Sequence, residues 1–109
     1  LNAEGGRYGN ALQAAAYQGK ESVVYLLLKR GAEVNAKGGY YGNALQAAAS
    51  RGNESVVQLL LERGAEVNAK GGRFGNALKA AKAFNRESIV QLLLTHGADP
   101  NLRSRQHDT

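Results

Sequence analysis

Apolar positions along this chain recur at helical spacing in short bursts separated by polar and glycine-rich breaks. Leu12, Ala15 and Ala16 share one face of a first burst, and Val23, Val24, Leu27 and Leu28 give a second one a wide apolar face. The spacing predicts a first helix from about Ala11 to Gln18, interrupted at Gly19. Glu21 and Ser22 lead into a second helix, with Lys29 and Arg30 near its negative end before Gly31. Asn10 stands before the first helix, where its side-chain oxygen can accept from the first free amides, and the alanines after it favour helix. Upstream, Gly5, Gly6 and Gly9 flank Arg7 and Tyr8; this segment is too glycine-rich for a regular element and predicts a hairpin finger.

The whole pattern then returns. GGRYGNALQAAA from Gly5 becomes GGYYGNALQAAA from Gly38 and GGRFGNALKAAK from Gly71, in steps of 33 residues. A fixed period of this size predicts a stacked array whose units bury their apolar faces only against one another. Each helix falls below the roughly 12–15 residues at which an isolated helix becomes even marginal in water, so packing between repeats must supply the stability. Small residues let the first helices approach closely, and the bulkier second helices splay. The stack is therefore expected to curve, with first helices and fingers on its concave side.

These features resemble the ankyrin repeat: the period, the AA pair after the first leucine, the VVxLLLxxGAxVNA phrase and the finger between successive repeats. The resemblance implies an all-α solenoid of paired antiparallel helices with short β-hairpin fingers. Three full repeats span 5–37, 38–70 and 71–103, preceded by the end of an earlier repeat at 1–4 and followed by a polar tail at 104–109. One departure is the replacement of the family's TPLH by NALQ at Asn10 to Gln13 and at Asn43 to Gln46, and by NALK at Asn76 to Lys79. Asparagine takes over the threonine cap, glutamine can replace some of the histidine's hydrogen bonds, and the loss of proline leaves the helix start less constrained. The GGxYGNALQAAA wording is similar to ankyrin arrays of large filamentous-fungal receptors with a NACHT-type, NLR-like nucleotide switch. A consensus design would carry the same wording.

The first two repeats differ from each other at Arg7/Tyr40, Tyr17/Ser50, Gln18/Arg51, Lys20/Asn53, Tyr25/Gln58 and Lys29/Glu62. The first three pairs sit on the finger and at the end of the first helix, where the resemblance implies a concave binding surface. That implies a partner-facing ridge of Arg7, Tyr8, Tyr17 and Gln18, then Tyr40, Tyr41, Ser50 and Arg51, then Arg73, Phe74, Ala83 and Phe84. Tyrosine, phenylalanine and arginine suit such a surface because a few rigid or multivalent side chains carry most interface energy. Strict recurrence of Tyr8, Tyr41 and Phe74 points instead to a ladder bracing the fingers. Arg7, Tyr17, Tyr40, Arg51 and Phe84 break the period and are the better contact candidates.

Charge and candidate chemistry narrow the function. A net charge of +5, with Arg73, Lys79, Lys82, Arg86, Arg103 and Arg105 in the last third, raises nucleic-acid binding as a reading. Interleaved glutamates and the lack of any nucleic-acid motif rank it below binding to acidic protein surfaces. His96 and His107 have no metal-ligand spacing, and no GK[ST] follows the glycines, so no enzyme, metal or cofactor is expected. Ser22, Ser55 and Ser88 recur beside glutamates and read as helix-start chemistry. Apolar runs are too short to cross a bilayer, and the absence of cysteine suits a reducing compartment, so the expected location is the cytoplasm.

The expected function is a non-enzymatic module for a protein partner, as a ligand-sensing or scaffolding part of a larger receptor. The alternative is a structural spacer or a designed scaffold without a native ligand. The first repeat has no polar N-terminal cap, so the chain is expected to be cut from something longer, and self-association through that face is a further expectation. Lys79 and Lys82, in place of Gln46 and Ala49, mark the third repeat as a candidate C-terminal cap.

Overall fold

The computed structural model describes residues 10–101 and contains six helices in antiparallel pairs. They are α1 (Ala11–Gln18), α2 (Glu21–Lys29), α3 (Ala44–Arg51), α4 (Glu54–Glu62), α5 (Ala77–Ala83) and α6 (Glu87–Thr95). None is long and apolar enough to cross a membrane. The finger expected at the start of the first repeat, the expected end of an earlier repeat at 1–4 and the polar tail at 104–109 lie outside the described residues.

Each first helix starts as its asparagine dictates. Asn10, Asn43 and Asn76 are extended at φ −161°, −163° and −158°, and their side-chain oxygens accept from the backbone amides of Gln13, Gln46 and Lys79 at 2.8, 2.8 and 2.9 Å. Gly19 and Gly52 end α1 and α3 in the left-handed region, at φ 72° and 80°. In the third repeat Asn85 takes that conformation at φ 57°, one of the few side-chain-bearing residues that tolerates it. Changing Asn43 to alanine is expected to lower the unfolding free energy by about 1 kcal/mol, read from urea melts.

The second helices start differently. Lys20, Asn53 and Arg86 occupy their N-cap positions without a side-chain capping bond, and Glu21, Glu54 and Glu87 open the first turn, where the helix dipole favours a carboxylate. The recurring serines do not cap. Ser88 instead donates to Glu54 of the preceding repeat at 3.0 Å.

Packing runs along the stack. First helices contact one another far more extensively than second helices do, as alanine against leucine side chains dictates, which makes their layer the shorter, inner one. Leu12, Leu45 and Leu78 are buried in every repeat, as are Val24, Val56, Val57, Leu60, Ile89 and Leu93 below them. Equivalent positions differ with their neighbours: Val23 is 40 % exposed, whereas Val56 and Ile89 are buried against a preceding repeat. In the third repeat Lys79 and Lys82 are exposed, at positions where Gln46 and Ala49 are buried.

Side chains also bridge backbone between repeats. Asn35 donates to Gly64 O at 3.0 Å and accepts from Glu66 N at 2.8 Å, and Asn68 repeats both bonds with Gly97 O and Asp99 N. Asn53 reaches back to Ala16 O at 3.0 Å, and Arg86 Nε to Ser50 O at 3.1 Å. The glutamines behave otherwise than the sequence suggested. Gln13 and Gln46 are fully buried, and their side-chain amides make no hydrogen bond, so they do not stand in for histidine's bonds. The cross-repeat side-chain bonding falls to Asn35, Asn53, Asn68, Arg86 and Ser88.

Candidate functional site: an aromatic strip across the fingers

Two fingers are described, each closed by one antiparallel bridge: Gly38 N donates to Gly42 O at 3.0 Å, and Gly71 N to Gly75 O at 2.9 Å. Three residues form each tip, and Arg73 N donates to Tyr40 O at 2.8 Å, tying one finger to the next. This closeness depends on glycine. Gly72 sits at φ +69°, and a Cβ there would lie 2.6 Å from Gly42 N while overlapping the Tyr41 carbonyl carbon.

The tips and helix ends together hold a continuous row of rings. Tyr17 at the end of α1 lies 4.9 Å from Tyr41, and Tyr41 lies 4.9 Å from Tyr40. Phe74 of the next finger is 6.3 Å from Tyr40 and stacks on Tyr41 at 6.4 Å, and Phe84 beyond α5 is 5.3 Å from Phe74. Offset and edge-on contacts of this kind each contribute about 0.5–1.5 kcal/mol beyond area burial, which makes the row stiff. Arg51 lies over Tyr17 at 4.5 Å, and Arg86 over Phe84 at 6.0 Å.

The ridge expected from the sequence divides on exposure. Tyr40 (38 %) and Phe84 (45 %) are exposed, as are Gln18, Arg51, Arg73 and Ala83, while Tyr17 and Phe74 are half-buried. Tyr41 and Ser50 are not available to a partner. Tyr41 is buried between Tyr17 and Phe74, and Ser50 turns inward, its hydroxyl donating to Ala47 O at 2.9 Å. Arg7 and Tyr8 lie outside the described residues.

Sequence comparison between repeats left out Arg86, which joins the strip because it both covers Phe84 and holds the Ser50 carbonyl. Its signal was the same loss of period, Lys20 and Asn53 standing at the equivalent positions. On the outer face Tyr25 is flanked by Arg63 at 4.9 Å and Lys29 at 5.7 Å and borders a shallow groove with Glu21, Ser22 and Leu59. That groove has mixed charge and a single ring.

Among the described residues no group of three or more histidine, aspartate or glutamate side chains is arranged to hold a metal. His96 lies exposed at the end of α6, its Nδ1 3.0 Å from Leu92 O. Comparison with curated proteins gives no match. Over residues 12–104 the sequence matches the family model for ankyrin repeats in three copies. Ankyrin repeats generally mediate protein–protein interaction and are generally not enzymes. The chain therefore belongs to the ankyrin-repeat family, and its six helices and two described fingers are an ankyrin solenoid.

Proposed function

We propose that the chain is a protein-recognition module whose contact surface is the strip from Tyr17 to Phe84 on the fingers and first-helix ends. The observation that carries this reading is the continuity of the row: five rings from three repeats, with Tyr40 and Phe84 exposed although they break the period and are not needed for repeating packing. Rigid aromatic side chains on a pre-organised scaffold lose little conformational freedom on docking. A role as the sensing part of a larger receptor fits both this surface and the finger wording. Lysine at positions 79 and 82, where the second repeat has Gln46 and Ala49, supports a closing role for the third repeat.

The reading is tested with a random dodecamer peptide library displayed on phage. Peptides enriched on the wild-type chain are expected to bind a Tyr40→Ser, Phe84→Ser double variant at least about tenfold more weakly, since anchors of this type each contribute more than about 1 kcal/mol. Helical content is expected to be unchanged. Equal binding to both forms would reject the strip as the contact surface.

A further inference from the structure

The two layers of the molecule divide its charge. Among the described residues α1, α3, α5 and the fingers before α3 and α5 carry Arg51, Arg73, Lys79 and Lys82 and no carboxylate. Glu21, Glu54, Glu62 and Glu87 lie in the outer helices, and Glu33, Glu66 and Asp99 in the loops that leave them. There the lysines and arginines of the same segments offset them, so the positive excess of the described chain resides in the layer that bears the aromatic strip. Like charges with no carboxylate in their own layer create a potential that draws and orients an anionic ligand. Arg51 and Arg73 are exposed beside the rings, and their guanidinium forks match a carboxylate in two bonds at once.

Both a polyanionic strand and an acidic protein segment would feel this potential. Ring geometry favours the protein. Successive bases of a single strand need open ring faces in sequence. Here Tyr40 and Phe74 meet at 83° and Phe74 and Phe84 at 72°, Arg51 covers Tyr17, and Tyr41 is buried. Exposed rings set edge-on to Phe74 offer apolar surface to an aliphatic or aromatic side chain instead.

Resting on the recognition reading above, we infer that the partner presents an acidic segment with an apolar anchor: carboxylates pair with Arg51 and Arg73, and an apolar side chain packs between Tyr40 and Phe84. The dodecamer library serves as the probe, with an Arg51→Glu, Arg73→Glu double variant, Glu62→Lys as an outer-layer control, and the Tyr40→Ser, Phe84→Ser variant. The wild-type pool is expected to be enriched at least about threefold in aspartate and glutamate around an apolar residue. A synthesised winner is expected to bind the double arginine variant at least about tenfold more weakly, to bind Glu62→Lys equally well, and to lose affinity steeply with salt. Far-UV circular dichroism of each variant confirms the fold. A pool without acidic enrichment that still needs Tyr40 and Phe84 overturns the acidic partner and leaves the recognition surface standing. A pool indifferent to Tyr40→Ser, Phe84→Ser, or no enrichment over bare support, overturns both. Tighter binding of an oligothymidylate strand than of the winning peptide at equal salt also overturns the acidic-protein assignment.

Discussion

Leu60→Ala is expected to lower the unfolding free energy by roughly 2–5 kcal/mol, the range for deleting a fully buried leucine whose surroundings cannot collapse into the space. Leu60 is completely buried in α4, the second helix of the central repeat, and belongs to the one apolar cluster that runs through all three repeats. Two further consequences follow from its place. Stability in a stacked array is a sum of weak units and strong interfaces, so damage to the central unit weakens its contacts with both neighbours. Loss is therefore expected as one earlier transition in far-UV circular dichroism, not as a partial melt of one helix pair. Leu94, one position on from the equivalent leucine of the third repeat, is 36 % exposed. Leu94→Ala is expected to cost less than half as much. Equal costs at the two positions would contradict the packing described here.

Gly72→Val is expected to part the fingers while leaving the helical stack intact. Two effects act together: the left-handed backbone at φ +69° resists a β-branched residue, and the new Cβ would enter the Tyr41 and Gly42 backbone. Backbone strain alone costs roughly 1–3 kcal/mol. The bond from Arg73 N to Tyr40 O has to lengthen to relieve the overlap, and Phe74 then leaves its place against Tyr40 and Tyr41. Amide hydrogen exchange is expected to show Arg73 losing protection while Ala47 and Ala80, inside α3 and α5, keep theirs. Affinity for library-selected peptides is expected to fall at least about tenfold, because the contact row is no longer pre-organised. Wild-type protection at Arg73 would show that the fingers do not depend on this close approach.

Much of the fold was legible in the chain because each local signal had one structural meaning. Asn10, Asn43 and Asn76 precede apolar helical spacing and cap helices, and Gly19 and Gly52 follow it and end them. Recurrence marked Tyr41 and Phe74 as members of a bracing ladder, and Tyr41 is indeed buried against Phe74. What escaped the sequence depends on register between repeats. Asn35 and Asn68 read as ordinary loop residues until the loops are stacked and each spans two backbone groups of the next. Ser50 breaks the period as a contact residue would, yet its short side chain folds back onto Ala47 O. Arg51 reaches Tyr17 and Arg86 reaches Ser50 across a repeat boundary, pairings that no single period contains.

One pair of curves tests the central claim that the exposed, non-recurring rings recognise a partner while the recurring residues hold the stack. Fluorescence anisotropy of a labelled library-selected peptide, with a thermal melt of the same sample, compares the wild-type chain with the Tyr40→Ser, Phe84→Ser variant. Affinity is predicted to fall at least about tenfold while the variant still unfolds in one cooperative transition above the binding temperature, the three ring contacts that Tyr40 and Phe84 make being worth about 0.5–1.5 kcal/mol each. Retained affinity, or affinity lost only in step with folding, would contradict the account.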